Sequence, residues 1–87
     1  MVSREIIVKN SVGLHARPAT LFIQKANSYK SSVLIEKGEK RVNAKSLLGV
    51  LYLGIDKDMT ITLITDGTDE VEALEGLCDL INDGLAE

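Results

Sequence analysis

Two hydrophobic periods alternate along the chain, and the places where one gives way to the other mark its elements. Glu5-Ile6-Ile7-Val8-Lys9 is short and β-branched and runs into the turn-forming cluster Asn10-Ser11-Val12-Gly13, which predicts a first strand. From Ala16 the apolar residues Ala19, Phe22, Ile23 and Ala26 recur at helical spacing, with Gln24, Lys25 and Asn27 off that stripe. Pro18 suits only the first turn of such a helix, where its missing N–H has no intrahelical partner, so the helix starts within a residue or two of His15. Ser32–Lys37 reads as a second strand with Val33 and Ile35 on one face, and Gly38 turns the chain into a third strand over Lys40–Ala44, with Val42 inward. Ser46–Tyr52 stays open between a short helix and a buried strand; Ser46 in N-cap position and a non-alternating apolar run favour the helix. Thr60–Thr65 alternates and is the fourth strand. Thr68 then caps a last helix, with Asp69 and Glu70 in its first turn and Val71, Leu74, Leu77, Cys78, Ile81 and Leu85 as its inward stripe.

The element order β-α-β-β-α-β-α predicts an α+β fold, with residues 1–87 forming one domain. Strands joined through a helix run in the same direction, and the hairpin between the second and third strands reverses it. Inserting the fourth strand between the first and second makes every neighbour antiparallel. The expected architecture is an open-faced sandwich: a four-stranded sheet in order 1-4-2-3 with three helices on one face. On the other face Ile7, Leu34 and Ile64 are placed to form a small apolar row.

Composition narrows the function. The chain has 87 residues, 45% hydrophobic and 26% charged, which is globular and too short for two cores. Ten Lys and Arg against 13 Asp and Glu give a net charge of −3, the wrong sign for a general nucleic-acid binder. Phe22, Tyr29 and Tyr52 are the only aromatics, too few for a base-stacking platform. No apolar run reaches the length of a membrane span, and Met1-Val2-Ser3-Arg4-Glu5 lacks the layout of a signal peptide. Cys78 is the only cysteine, so no internal disulfide forms and a reducing, cytoplasmic setting is expected.

The chemistry concentrates in Gly13-Leu14-His15-Ala16-Arg17-Pro18-Ala19. His15, the only histidine, stands at a loop-to-helix junction two residues before Arg17. The first N–H groups of a helix lack intrahelical acceptors and carry roughly half a positive charge, a favourable place for phosphate. Arg17 adds a planar, permanently charged fork that fits phosphoryl oxygens. The same field works against a protonated ring, and the neutral ring is the nucleophile. Spacing alone leaves two readings open: a surface histidine without chemistry, or a phosphoryl acceptor. Ser46 likewise reads first as a helix cap. Leu47, Leu48, Leu51 and Tyr52 cannot all be buried on one short helix, so part of this run faces out as a docking patch.

Two motifs carry a family resemblance. The stretch from Asn10 to Ala19, above all Gly13-Leu14-His15-Ala16-Arg17-Pro18-Ala19, resembles the active-site signature of HPr, the histidine-containing phosphocarrier of the bacterial phosphoenolpyruvate-dependent sugar phosphotransferase system. Asn43-Ala44-Lys45-Ser46-Leu47-Leu48-Gly49-Val50 resembles the family's second signature, around its regulatory serine. The resemblance covers essentially the whole chain. It implies a carrier rather than an enzyme, with no metal or cofactor of its own. His15 takes a phosphoryl group from Enzyme I on Nδ1 and delivers it to a sugar-specific Enzyme IIA, while Arg17 and the backbone N–H groups of Ala16 and Arg17 steady it. Thr20, Leu47, Leu48 and Leu51 belong to the surface that meets both partners, and the protein works as a monomer. Ser46 is the site modified by an ATP-dependent HPr kinase/phosphorylase, which slows phosphorylation of the histidine and creates a ligand for a transcriptional regulator of carbon catabolite repression.

Two positions depart from the family pattern. Val12 stands where a polar residue able to orient the histidine is common, and Tyr52 where a small or polar one is usual. Rival readings are weaker. Regulatory HPr-like modules without a shuttle role replace the active histidine, which this chain keeps. An acid–base enzyme lacks a partner carboxylate for His15 at convincing spacing. A single-stranded RNA binder conflicts with the acidic balance and the missing aromatics.

Overall fold

The computed structural model describes residues 1–85. Its elements run β1 (Val2–Ile7), α1 (Ala16–Asn27), β2 (Ser32–Lys37), β3 (Lys40–Asn43), α2 (Leu47–Tyr52), β4 (Thr60–Asp66) and α3 (Glu70–Asn82). The four strands form one antiparallel sheet in the order β1-β4-β2-β3, the expected arrangement, in which every neighbour is antiparallel. Register follows the pleat: Ile6 faces Ile61 across β1 and β4, and Ile35 faces Leu63 across β2 and β4. These residues, with Val8 and Val33, are buried beneath Ala19, Phe22 and Ala26 of α1 and Leu74, Leu77, Cys78 and Ile81 of α3. Burial pushes the Cys78 thiol up, which keeps it protonated and inert. No helix among the described residues is long and apolar enough to cross a membrane.

β3 and β4 each end one residue from the pattern-based expectation, at Asn43 and Asp66, and larger differences at β1 and α3 have local reasons. β1 begins at Val2 rather than Glu5, because the pairing of Val2 with Thr65 and Arg4 with Leu63 extends an edge strand across the polar Ser3 and Arg4. Val8 lies past its end yet still exchanges backbone bonds with Met59 and Asp58 (2.9 and 2.6 Å). Asp69, not Thr68, is the N-cap of α3, and its carboxylate is turned away from the helix to accept from the N–H groups of Lys30 and Ser31, both at 2.9 Å, and from the Ser31 hydroxyl.

Val71, expected inward, is 54% exposed. At 3.6 residues per turn it lies about a quarter turn from the middle of the Ala73–Leu74–Leu77–Ile81 stripe. Glu70 occupies that middle position instead, accepting from the Gly67 N–H at 3.1 Å and the N-terminal ammonium at 3.0 Å. Leu85 is buried, but beyond the helix. Its N–H donates to the Leu80 carbonyl and that of Gly84 to Ile81, both at 3.1 Å, a Schellman cap that folds the chain back over the core. On the open face Leu34 lies opposite Ile64, but Ile64 faces Ser3 across β1 and Ile7 lies opposite Thr60, so the anticipated row stops before the sheet edge.

The Asp69 clamp carries a pH dependence. Its carboxyl is lowered from 3.8 to about 2, first by the Ser31 hydroxyl and then by the Lys30 N–H. A carboxyl more acidic in the native state than in the unfolded chain stabilises the fold above about pH 4, and that contribution is lost as pH falls towards 2. Urea melts of Asp69→Asn should therefore lie below the parent protein at pH 6, with the gap closing by about pH 2. An unchanged gap would show that the charge on Asp69 contributes nothing.

Candidate functional site

The site is assembled where the loop after β1 meets the start of α1. Asn10 is buried and donates from Nδ2 to the Gly13 carbonyl at 2.7 Å, closing the turn that precedes His15. His15 is the N-cap of α1 in extended conformation (φ −123, ψ 156), and its side chain makes no capping bond to the helix amides. Ala16 follows at φ 50, a left-handed value that costs a non-glycine residue about 1–2 kcal/mol and bends the chain sharply into the helix. Pro18 falls in the first turn, as its missing N–H demands, and is buried. Arg17 is exposed and forms no ion pair among the described residues, so its guanidinium is open to an incoming anion.

One residue of the site escaped the sequence reading. His15 Nε2 lies 2.8 Å from Asp56 Oδ1, with side-chain exposures of 40% and 65%. The partner carboxylate judged missing from the sequence is present, supplied from 41 residues away. A usable signal existed: antiparallel pairing of β1 with β4 sets Ile7 opposite Thr60 and brings the segment before β4 beside the loop after β1. The pair stays at the surface.

The second motif forms a separate neighbourhood. Ser46 is the N-cap of α2 and its Oγ accepts from the Gly49 N–H at 3.3 Å. Asn27 Nδ2 at the end of α1 donates to the Lys45 carbonyl at 3.2 Å, while the Leu14 N–H before α1 donates to the Ile55 carbonyl at 2.9 Å. α2 therefore runs back along α1, from the end far from His15 towards the end that holds it. Leu47, Leu48, Leu51 and Tyr52 are exposed, Leu48 at 81%, and only Val50 of this helix is buried. Lys40 Nζ sits 4.8 Å above the Tyr52 ring, a cation–π contact that anchors the aromatic at the rim of the patch. Thr20 is exposed on α1, its hydroxyl donating to the Ala16 carbonyl at 3.3 Å.

With this geometry in place, the comparisons with known proteins agree on one family. The sequence family described as "PTS HPr component phosphorylation site" matches residues 2–83. The HPr-like protein Crh of Halalkalibacterium halodurans is 52% identical over 81 residues, covering 93% of this chain and 96% of its own. The crystal structure of HPr-C-His from Thermoanaerobacter tengcongensis is 44% identical and superposes with a TM-score of 0.98 over 100% of this chain and 98% of that one. The phosphocarrier protein HPr of Bacillus anthracis is 44% identical, with a TM-score of 0.90 over 92% of this chain and 95% of that one.

Proposed function

Because this chain belongs to the HPr family, we propose that it carries a phosphoryl group on His15 between Enzyme I and sugar-specific Enzyme IIA domains, in support of sugar uptake. The observation that carries this reading is the half-exposed imidazole at the head of α1, with one nitrogen held by Asp56 and the Arg17 guanidinium uncommitted. A labile phosphoramidate on imidazole suits a relay, since the group must leave as readily as it arrives. Backbone N–H groups of Ala16 and Arg17 and the Arg17 fork steady it. The exposed side chains of Leu47, Leu48 and Leu51, with Thr20, serve as the docking surface for both partners, and the protein acts as a monomer. The experiment is incubation with Enzyme I, phosphoenolpyruvate and magnesium, followed by addition of an Enzyme IIA domain. Acid-labile phosphate should appear on this chain and then move to the second protein.

A 45% identical relative described as the Bacillus subtilis Catabolite Repression HPr favours a second reading, in which this chain is a regulatory module without a shuttle role. His15 separates the two readings, because such modules replace the active histidine.

Regulation through Ser46 is compatible with either role. Phosphate there adds about −1.5 to −2 charges at a helix start that favours anions, beside exposed Leu47 and Leu48. The fold tolerates it while the apolar docking surface gains negative charge beside it. An HPr kinase/phosphorylase with ATP should give acid-stable phosphate on the parent protein and none on Ser46→Ala. The same substitution should cost about 0.5–1 kcal/mol in urea melts, since it removes a long capping bond. Acid-stable label persisting in Ser46→Ala would place the modification elsewhere.

A further inference from the structure

We propose that Asp56 is a positioning residue for phosphoryl transfer: it fixes the His15 ring so that Nδ1 is the acceptor and keeps the ring proton in place throughout. The inference rests on the phosphocarrier reading and adds to it a residue outside both sequence motifs. It stands on two independent features. The first is the 2.8 Å approach of Nε2 to Oδ1. The second is the way the backbone delivers that carboxylate. The Leu14 N–H donates to the Ile55 carbonyl at 2.9 Å, and Gly13 approaches so closely that a Cβ there would meet the Ile55 oxygen at 2.2 Å and Asp56 Cα at 2.7 Å. The segment carrying Asp56 is thus locked against the segment carrying His15. Val12, where a polar residue could otherwise orient the ring, is an exposed hydrocarbon.

A carboxylate only accepts, so the nitrogen facing it carries the hydrogen, and in a neutral imidazole the other nitrogen then holds the lone pair. Asp56 therefore presents Nδ1 as the nucleophile. In the transfer, the Nδ1 lone pair forms the bond to phosphorus as the bond to the donor breaks, its electron pair leaving with the donor. The Nε2 proton stays where it is. The phosphorylated ring bears substituents on both nitrogens and a positive charge, which the Asp56 carboxylate offsets. When the group moves on, the N–P electron pair returns to Nδ1 and the ring leaves neutral, with no proton exchanged in either direction. Arg17 faces the arriving phosphoryl group. Of the charged neighbours in the Asp56 loop, Lys57 is exposed and Asp58 is engaged by Lys9 at 3.3 Å.

The test pairs a tautomer measurement with a transfer rate. Long-range proton–nitrogen NMR of the unphosphorylated protein at about pH 8.5, where an ordinary imidazole is neutral, should show Nε2 as the hydrogen-bearing nitrogen of His15. In Asp56→Ala the two nitrogen shifts should move towards each other, while Asp56→Glu, which keeps an acceptor-only carboxylate, should hold the parent spectrum. Transfer from Enzyme I should slow about two- to tenfold in Asp56→Ala, as suits one exposed charge-assisted bond, and recover most of that loss in Asp56→Glu, which restores the carboxylate. Hydrogen on Nδ1 in the parent protein, or an unchanged rate in Asp56→Ala, overturns the proposal. Parent protein that takes no label at all refutes the phosphocarrier reading, and the role of Asp56 falls with it, whatever the spectrum shows.

Discussion

His15→Ala should take up no acid-labile phosphate from Enzyme I and phosphoenolpyruvate, and should unfold within about 1 kcal/mol of the parent protein. Total loss is expected because His15 is the only imidazole in the chain, so no neighbouring residue can form the same phosphoramidate. The small structural effect follows from what the side chain does in the fold. As N-cap it makes no bond to the helix amides, so no cap is lost. Its pairing with Asp56 is exposed, and exposed pairs contribute roughly 0–1 kcal/mol. Labelling and urea melts on one preparation separate loss of function from loss of fold. Residual acid-labile label in the variant would move the acceptor away from His15.

Gly13→Ala should be the most damaging single-methyl change near the site, lowering stability by about 2–5 kcal/mol. Its φ of 65 lies in the left-handed region, where a side chain costs about 1–2 kcal/mol. The new Cβ would also collide with the Ile55 oxygen and the Asp56 backbone, and overpacking of that kind adds about 1–3 kcal/mol. Gly54 is the control. It has φ 60 with nothing within 4 Å of a built Cβ, so Gly54→Ala should show the backbone cost alone. If Gly13→Ala melts no lower than Gly54→Ala, the close approach of the two loops is not maintained in solution. A folded fraction of Gly13→Ala should also lose the His15–Asp56 tautomer preference, since separating the loops withdraws the carboxylate.

Most of the fold was legible because it rests on periods that a single face imposes. Ile61 and Leu63 alternate with Thr60 and Thr62 since one side of β4 is covered by helices, while the sheet order was compatible with strand direction and rested on the family resemblance. What escaped depended on side chains satisfying backbone groups elsewhere. Asp69 reads as a first-turn acid, yet its carboxylate clamps the Lys30–Ser31 turn, which sits beside it only once β2 pairs with β4. Leu85 continues the helical stripe by count but reaches the core through a cap after Asn82.

The site divides in the same way. His15, Arg17 and Ser46 stand in motifs whose local geometry, a helix start, sequence alone anticipates. Asp56 belongs to the run Asp56-Lys57-Asp58, an ordinary charged turn with no period of its own. Only the antiparallel return of the chain beside the His15 loop distinguishes it from its neighbours.

The central claim is that His15 holds a transferable phosphoryl group, and phosphorus NMR of the parent protein mixed with Enzyme I, magnesium and phosphoenolpyruvate reads it directly. The account predicts one phosphoramidate resonance from this chain that vanishes on acidification and on addition of an Enzyme IIA domain. A spectrum with no such resonance, or with only an acid-stable phosphoester, would contradict it.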